Sequence, residues 1–186
     1  MKSADRTVAA VGILCGALGL AGCETPRPQP TVDRVDIPRF MGDWYVIANI
    51  PTFLERGAHN AVESYRLADD GRVLVEFTFR ADSFTGPAKR YTPVGYVRDA
   101  NGAVWGMQFI WPFKADYRVI YLNDDYTQTI IGREKRDYVW IMSRSPAIGE
   151  EDFSRHMAFL REQGYDVAQL QRVPQQQETV RDAPVR

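Results

Sequence analysis

Between residues 42 and 143, apolar and polar side chains alternate in short runs, and each run ends at a cluster of turn-forming residues. A period of two marks strands with one face in a core. The leading run opens with Gly42-Asp43-Trp44-Tyr45. Gly42 stands where irregular chain turns into strand, a corner that a residue without Cβ enters at no steric cost. Trp44, Val46, Ala48 and Ile50 share one face of this run; Tyr45 and Ile47 lie on the other. Two apolar faces fit a buried sandwich strand, or a barrel strand with a cavity on one side and a helix on the other.

Further runs follow in series. Residues 61–67 set Ala61, Glu63, Tyr65 and Leu67 against Val62, Ser64 and Arg66, and Ala68-Asp69-Asp70-Gly71 reads as a hairpin turn. Residues 72–80 alternate most cleanly, with Val73, Val75, Phe77 and Phe79 opposite Glu76, Thr78 and Arg80. Residues 89–98 form one strand, closed by a turn at Asp99-Ala100-Asn101-Gly102. Residues 103–110 align Trp105, Met107 and Phe109; residues 116–122 align Tyr117, Val119 and Tyr121. After a turn at Asn123-Asp124-Asp125, residues 126–132 and 137–143 complete eight strands. Tyr138, Trp140, Met142 and Arg144 share a face in the last. No helical period interrupts the series. The expectation is an all-β, eight-stranded antiparallel meander, closed as an up-and-down barrel or folded as a sandwich.

One helix follows. Gly149 precedes Glu150, Glu151 and Asp152, acidic residues that suit a helix start; Phe153, Met157 and Leu160 make an apolar stripe, and Gly164 ends it. A sandwich has no ready place for this helix. A barrel has one, on the outer apolar patch of Tyr45 and Ile47.

The chain ends carry separate signals. Lys2 and Arg6 precede a short apolar run and then Leu20-Ala21-Gly22-Cys23. This resembles the lipobox of bacterial lipoproteins, so residues 1–22 read as a signal peptide and Cys23 as the lipid attachment point. Glu24 in second position is not the aspartate that commonly retains such proteins in the inner membrane, and outer-membrane anchoring is implied by the same resemblance. Residues 23–32 are rich in proline and read as an extended tether; at about 3.1 Å per residue, the eight residues 24–31 reach about 25 Å. The folded unit is expected over 33–173, with a loose tail over 174–186. Cys15 lies in the removed segment, which leaves the folded part no cysteine for a disulfide, a metal site or a nucleophile. A pI of 6.1 and a net charge of −1 argue against a nucleic-acid partner.

Three signals converge: Gly42-x-Trp44 in the first strand, Asn123-Asp124-Asp125-Tyr126 between the sixth and seventh, and Arg144 just after the eighth. Together with the final helix and the lipobox, they resemble the lipocalin family, most closely its bacterial outer-membrane members related to apolipoprotein D. The resemblance spans about residues 33–173. It implies a closed barrel in which Gly42, Trp44, Asp125, Tyr126 and Arg144 are structural, with Arg144 across the closed end over the Trp44 ring. Asp43 departs from the threonine common in bacterial relatives. Phe77 and Phe79 replace Asn and Gly and predict a narrower, more aromatic cavity that disfavours a ligand with two bulky chains.

Strand parity points Val75, Phe77, Trp105, Met107, Phe109, Tyr117, Val119, Tyr121 and Trp140 inward, as the wall of a small-molecule pocket or as a filled core. No Ser-His-Asp spacing, metal-ligand cluster or phosphate loop is present in the sequence, so neither a catalytic site, a metal nor a cofactor is expected. Glu55-Arg56 and Asp69-Asp70 read as solvated loop charges, and His156 as a packing or surface residue rather than a base. The function expected is a lipid-anchored protein of the outer membrane, facing the periplasm, that binds or carries a fatty acid or lysophospholipid. An enzyme acting on a lipid or isoprenoid in the same cavity, or an interaction protein with a filled barrel, are the competing readings. A homodimer is left open.

Overall fold

The computed structural model describes residues 28–176. The signal peptide, Cys23 and the end of the tail lie outside the described residues. A short helix α1 (Ile37–Phe40) leads into β1 (Gly42–Ile50), β2 (Ala58–Leu67), β3 (Val73–Ala81), β4 (Ala88–Tyr91), β5 (Val94–Val97), β6 (Val104–Ile110), β7 (Phe113–Leu122), β8 (Gln128–Gly132) and β9 (Val139–Ser143). Helix α2 (Glu150–Glu162), a 3-10 turn (Val167–Gln169) and β10 (Gln171–Arg172) follow. All ladders are antiparallel: consecutive strands pair, except that β4 and β5 both pair with β3 and β10 pairs with β1; β1 also pairs with β9, from Tyr45↔Ser143 to Ile50↔Val139. That last ladder closes the sheet into a barrel, with β4 and β10 each paired on one side only.

The expected strand over 89–98 is two pieces. Pro93 has no N–H to give a ladder, and the chain breaks there. Both pieces still pair with β3, so β4 and β5 occupy one position in an eight-strand barrel. Val75 N–H donates to the Pro93 carbonyl at 3.1 Å across the break.

Two bulges alter the expected faces. In β1 the register with β9 shifts between Val46 and Ala48. Trp44 and Val46 point into the barrel, but past the bulge the parity reverses. Ala48 and Ile50 therefore join Ile47 outside, in the cluster under α2, and Asn49 turns inward opposite Trp140. In β7 a shift between Val119 and Tyr121 does the same. Tyr121 leaves the barrel interior and packs on α2, its ring 4.9 Å from His156 and 5.8 Å from Phe159.

Helix α2 covers Ile47, Ala48, Ile120, Ile130 and Ile141. Its buried centre is His156 and Leu160 rather than Met157. His156 Nε2 pairs with Gln128 Oε1 at 2.6 Å, and burial, with the Arg155 charge adding to it, holds the imidazole down to about 4. The helix ends as expected, with Gly164 at φ 85° and Tyr165 N–H donating to the Leu160 carbonyl.

The described parts of the two flanking segments lie on the barrel. Gln29 is buried, and Val32 N–H donates to the Val119 carbonyl at 3.0 Å. After β10, Val173 is buried and its N–H donates to the Ile47 carbonyl. The Gln175 amide donates to the carbonyls of Val46 and Ala61, beside the register shifts of β1 and β2. A bulge frees backbone acceptors, and this side chain satisfies two of them.

Candidate functional site

The barrel is a cup. Its floor begins with α1, which the strand pattern did not predict. Asp36 caps it by accepting from Arg39 N–H at 3.2 Å. The helix presses Phe40, fully buried, against Trp44, Tyr65 and Trp105, with ring centroids 5.0, 5.6 and 5.6 Å away. Trp44 Nε1 donates to the Phe40 carbonyl at 2.9 Å, and Trp105 Nε1 to that of Gly102 at 2.7 Å.

Arg144 locks this floor from below. Its guanidinium carbon lies 3.8 Å from the centroid of the Trp44 ring. Its nitrogens donate to the carbonyls of Met41 (2.7 Å), Asp43 (2.8 Å), Phe40 (3.0 Å), Arg39 (3.2 Å) and Tyr126 (3.3 Å). Gly42 sits at φ 95° beneath it, and a Cβ there would stand 3.2 Å from Arg144 Nη1. In the adjoining turn Asn123, not the exposed Asp125, does the bonding: Asn123 Oδ1 accepts from the N–H groups of Thr127 and Gln128. The Tyr126 hydroxyl accepts from Asp36 N–H at 2.8 Å and ties the turn to α1.

Above the floor is a cavity of about 310 Å³. Val75, Phe77, Met107, Phe109, Tyr117 and Trp140, six of the nine expected wall residues, line it. The other three do not. Trp105 and Val119 are packed into the floor, and Tyr121 is outside the barrel for the reason given above. Phe77 and Phe79 both point inward and stack with Tyr91, narrowing the interior. Phe53, Leu54, Phe109 and Ile110 surround the mouth and are exposed to water, as is Trp111, 82% exposed in the β6–β7 hairpin.

Two carboxylates in this wall were not expected. Glu55 is buried, not a solvated loop charge. It accepts from Trp140 Nε1 at 2.7 Å and Asn49 Nδ2 at 2.9 Å on one oxygen, and from the Thr52 hydroxyl at 2.7 Å on the other. The β1 bulge brings Asn49 to it. Glu63 lies deeper, bordering the cavity and otherwise enclosed by protein. Its Oε2 accepts the Tyr65 hydroxyl, which in turn pairs with the Tyr117 hydroxyl at 2.8 Å. Burial pushes the Glu63 carboxyl up to about 7; the Tyr65 bond pulls the other way, and the Glu55 charge adds to the rise. Glu63 was legible in part, since it shares the inward face of Ala61 and Tyr65; no local signal marks Glu55.

A lipocalin-like domain model matches residues 35–175. The outer membrane lipoprotein Blc of Citrobacter freundii is 29% identical over 169 residues, covering 89% of this chain and 95% of that one. Apolipoprotein D of Bos taurus is 30% identical over 133 residues, covering 68% and 69%. Among solved structures, insecticyanin from Manduca sexta superposes with a TM-score of 0.62 at 16% identity, over 80% of this chain and 84% of that one. At that identity the superposition speaks for the fold alone. Eight strands closed as a cup, a floor sealed by arginine on tryptophan, and a match across the whole folded unit lead to one conclusion: the chain belongs to the lipocalin family.

Proposed function

We propose that the protein stores or carries a single-chain lipid, a fatty acid or lysophospholipid, tethered to the outer membrane through Cys23. The cavity carries this reading: apolar walls, a closed floor and an open apolar mouth. Lipocalins generally bind and transport rather than catalyse, and relatives named outer membrane lipoproteins support the location. In this reading residues 1–22 are the removed signal, 23–32 lead to the barrel, and the domain faces the periplasm.

At about 30 Å³ per water-sized group, the cavity holds about ten chain carbons. A longer chain would continue along Phe53, Phe109 and Ile110 with its head group outside. Fifteen methylenes so covered give about 12 kcal/mol gross, and association costs of about 4 kcal/mol leave micromolar affinity. Phe77 and Phe79, packed with Tyr91, narrow the interior and favour one chain over two.

The test is a titration of the purified full-length protein with a fatty acid and a lysophospholipid, following tryptophan emission. Saturation near one equivalent, lost in Trp140→Ala with the fold retained, is the expected result. Absence of binding by any apolar ligand to a folded protein would leave the filled-barrel reading in its place.

A further inference from the structure

The cavity wall at the level of Trp44 is not wholly apolar, because Glu63 pairs with that residue across β1 and β2 and lines the cavity. Glu63 reaches it from β2 among Val75, Phe77 and Met107, with Tyr117 beside it from β7. An apolar ligand has no use for such a group, and an unpaired buried carboxylate costs stability. The bonding within the cluster dictates what can satisfy it. The Tyr65 proton goes to Glu63 Oε2, so the Tyr65 oxygen accepts the proton of Tyr117. Both hydroxyl protons are then spent inside the cluster. No donor among the described residues reaches Glu63 Oε1. With Glu63 ionised, the cluster offers only an acceptor to the cavity, and in that form it rejects a second carboxylate, an ester or a ketone at that point. An ammonium would have to shed its hydration for one carboxylate oxygen, a poor exchange in an apolar cup.

We propose that Glu63, backed by Tyr65 and Tyr117, is an anchor for a hydroxyl group at the buried end of an otherwise aliphatic ligand. The proposal rests on the carrier reading and narrows its substrate class to chains that bear a hydroxyl on the inserted end. That end is either the sole head of a long-chain alcohol or the ω-terminus of a hydroxylated lipid whose other head stays at the mouth.

Proton linkage separates this anchor from a passive wall. A ligand hydroxyl donates to ionised Glu63 and favours that form. A plain methyl end removes water from Glu63 and favours its neutral form. Since the carboxyl titrates near pH 7, hydroxylated ligands bind more tightly as pH rises from 6 to 8, and plain chains more weakly. Tyr65 on β2 and Tyr117 on β7 stay neutral throughout, because burial raises both well above their ordinary value. The other charged groups of the wall are Glu55, Asp116 and Arg133, and they remain in place in a Glu63 variant.

The experiment measures affinity of the purified full-length protein for dodecan-1-ol, methyl 12-hydroxydodecanoate and methyl dodecanoate at pH 6 and pH 8. None of the three titrates. Glu63→Leu is expected to weaken the alcohol, the hydroxy ester or both about tenfold or more, and to tighten methyl dodecanoate. A loss confined to the alcohol means that a sole head enters first; a loss with the hydroxy ester means that the ω-end does. Glu63→Gln keeps an acceptor and nearly the same shape, and it is expected to retain hydroxyl preference but lose the opposed pH trends. That variant carries the test if Glu63→Leu does not fold. Equal changes for hydroxylated and plain ligands, or pH trends that persist in Glu63→Gln, would overturn the anchor alone. Failure of all three ligands to bind the wild-type protein would remove the carrier reading and the anchor with it.

Discussion

Replacing Arg144 by alanine removes a side chain that joins the floor helix, the start of β1 and the β7–β8 turn. The loss has two parts. Stacking of a guanidinium on an indole at 3.8 Å contributes about 1 kcal/mol, nearer 2 where water is excluded. The three shortest carbonyl bonds, to Met41, Asp43 and Phe40, would each count about 1.5 kcal/mol or more if dry. Half-exposure of Arg144 and shared nitrogens reduce that sum, so we expect about 3 kcal/mol in total. For a domain of this size each kcal/mol moves the midpoint by about 3 °C, giving a fall of about 9 °C. Trp44→Leu should also destabilise, through lost packing and the lost bond to the Phe40 carbonyl. The assay is a double-mutant cycle by urea denaturation followed by circular dichroism. The contact predicts that the double mutant costs about 1–2 kcal/mol less than the two single losses together. Additivity within about 0.5 kcal/mol would refute the coupling.

Two buried groups should impose opposite pH trends on stability. Glu63 is raised from 4.5 to about 7, so the folded state holds a proton the unfolded state lacks, and the stability it lends is lost as pH climbs through that window. His156 is lowered from 6.5 to about 4, so the unfolded chain takes up the proton first and stability falls as pH drops. Their slopes, about 1.4 kcal/mol per pH unit each, oppose each other between 4.5 and 6.5. Relative to wild type, Glu63→Gln should gain stability from pH 5 to pH 6, and His156→Gln should lose it; urea midpoints at the two pH values read this directly. At the other end of the chain, Cys23→Ser should abolish lipid attachment and remove the protein from the outer-membrane fraction. Unchanged fractionation of that variant would defeat the lipobox reading.

Much of this molecule is written in its local pattern. Alternation in residues 72–80 placed Val73, Val75, Phe77 and Phe79 on the inner wall because a strand without a bulge cannot change sides. The turns at Gly71 and Gly102 and the stop at Gly164 follow from positive φ, a property of single residues. Trp140, Met107 and Tyr117 were found for the same reason. What failed depended on partners far along the chain. The bulges of β1 and β7 turn Ala48, Ile50 and Tyr121 away from the interior, and a register shift exists only between two strands, so parity within one strand cannot reveal it. Whether an inward residue meets a cavity or a floor is likewise a tertiary matter. Trp105 and Val119 obey the alternation, yet they lie beneath the cup because Phe40 of a four-residue helix fills the space against them. The two carboxylates show the limit most plainly. Glu63 shares the inward face of its strand, but its weak acidity arises from the enclosing barrel. Glu55 has the local sequence of a solvated loop. Its burial comes from Trp140, 85 residues away, and from an asparagine that a bulge turned inward.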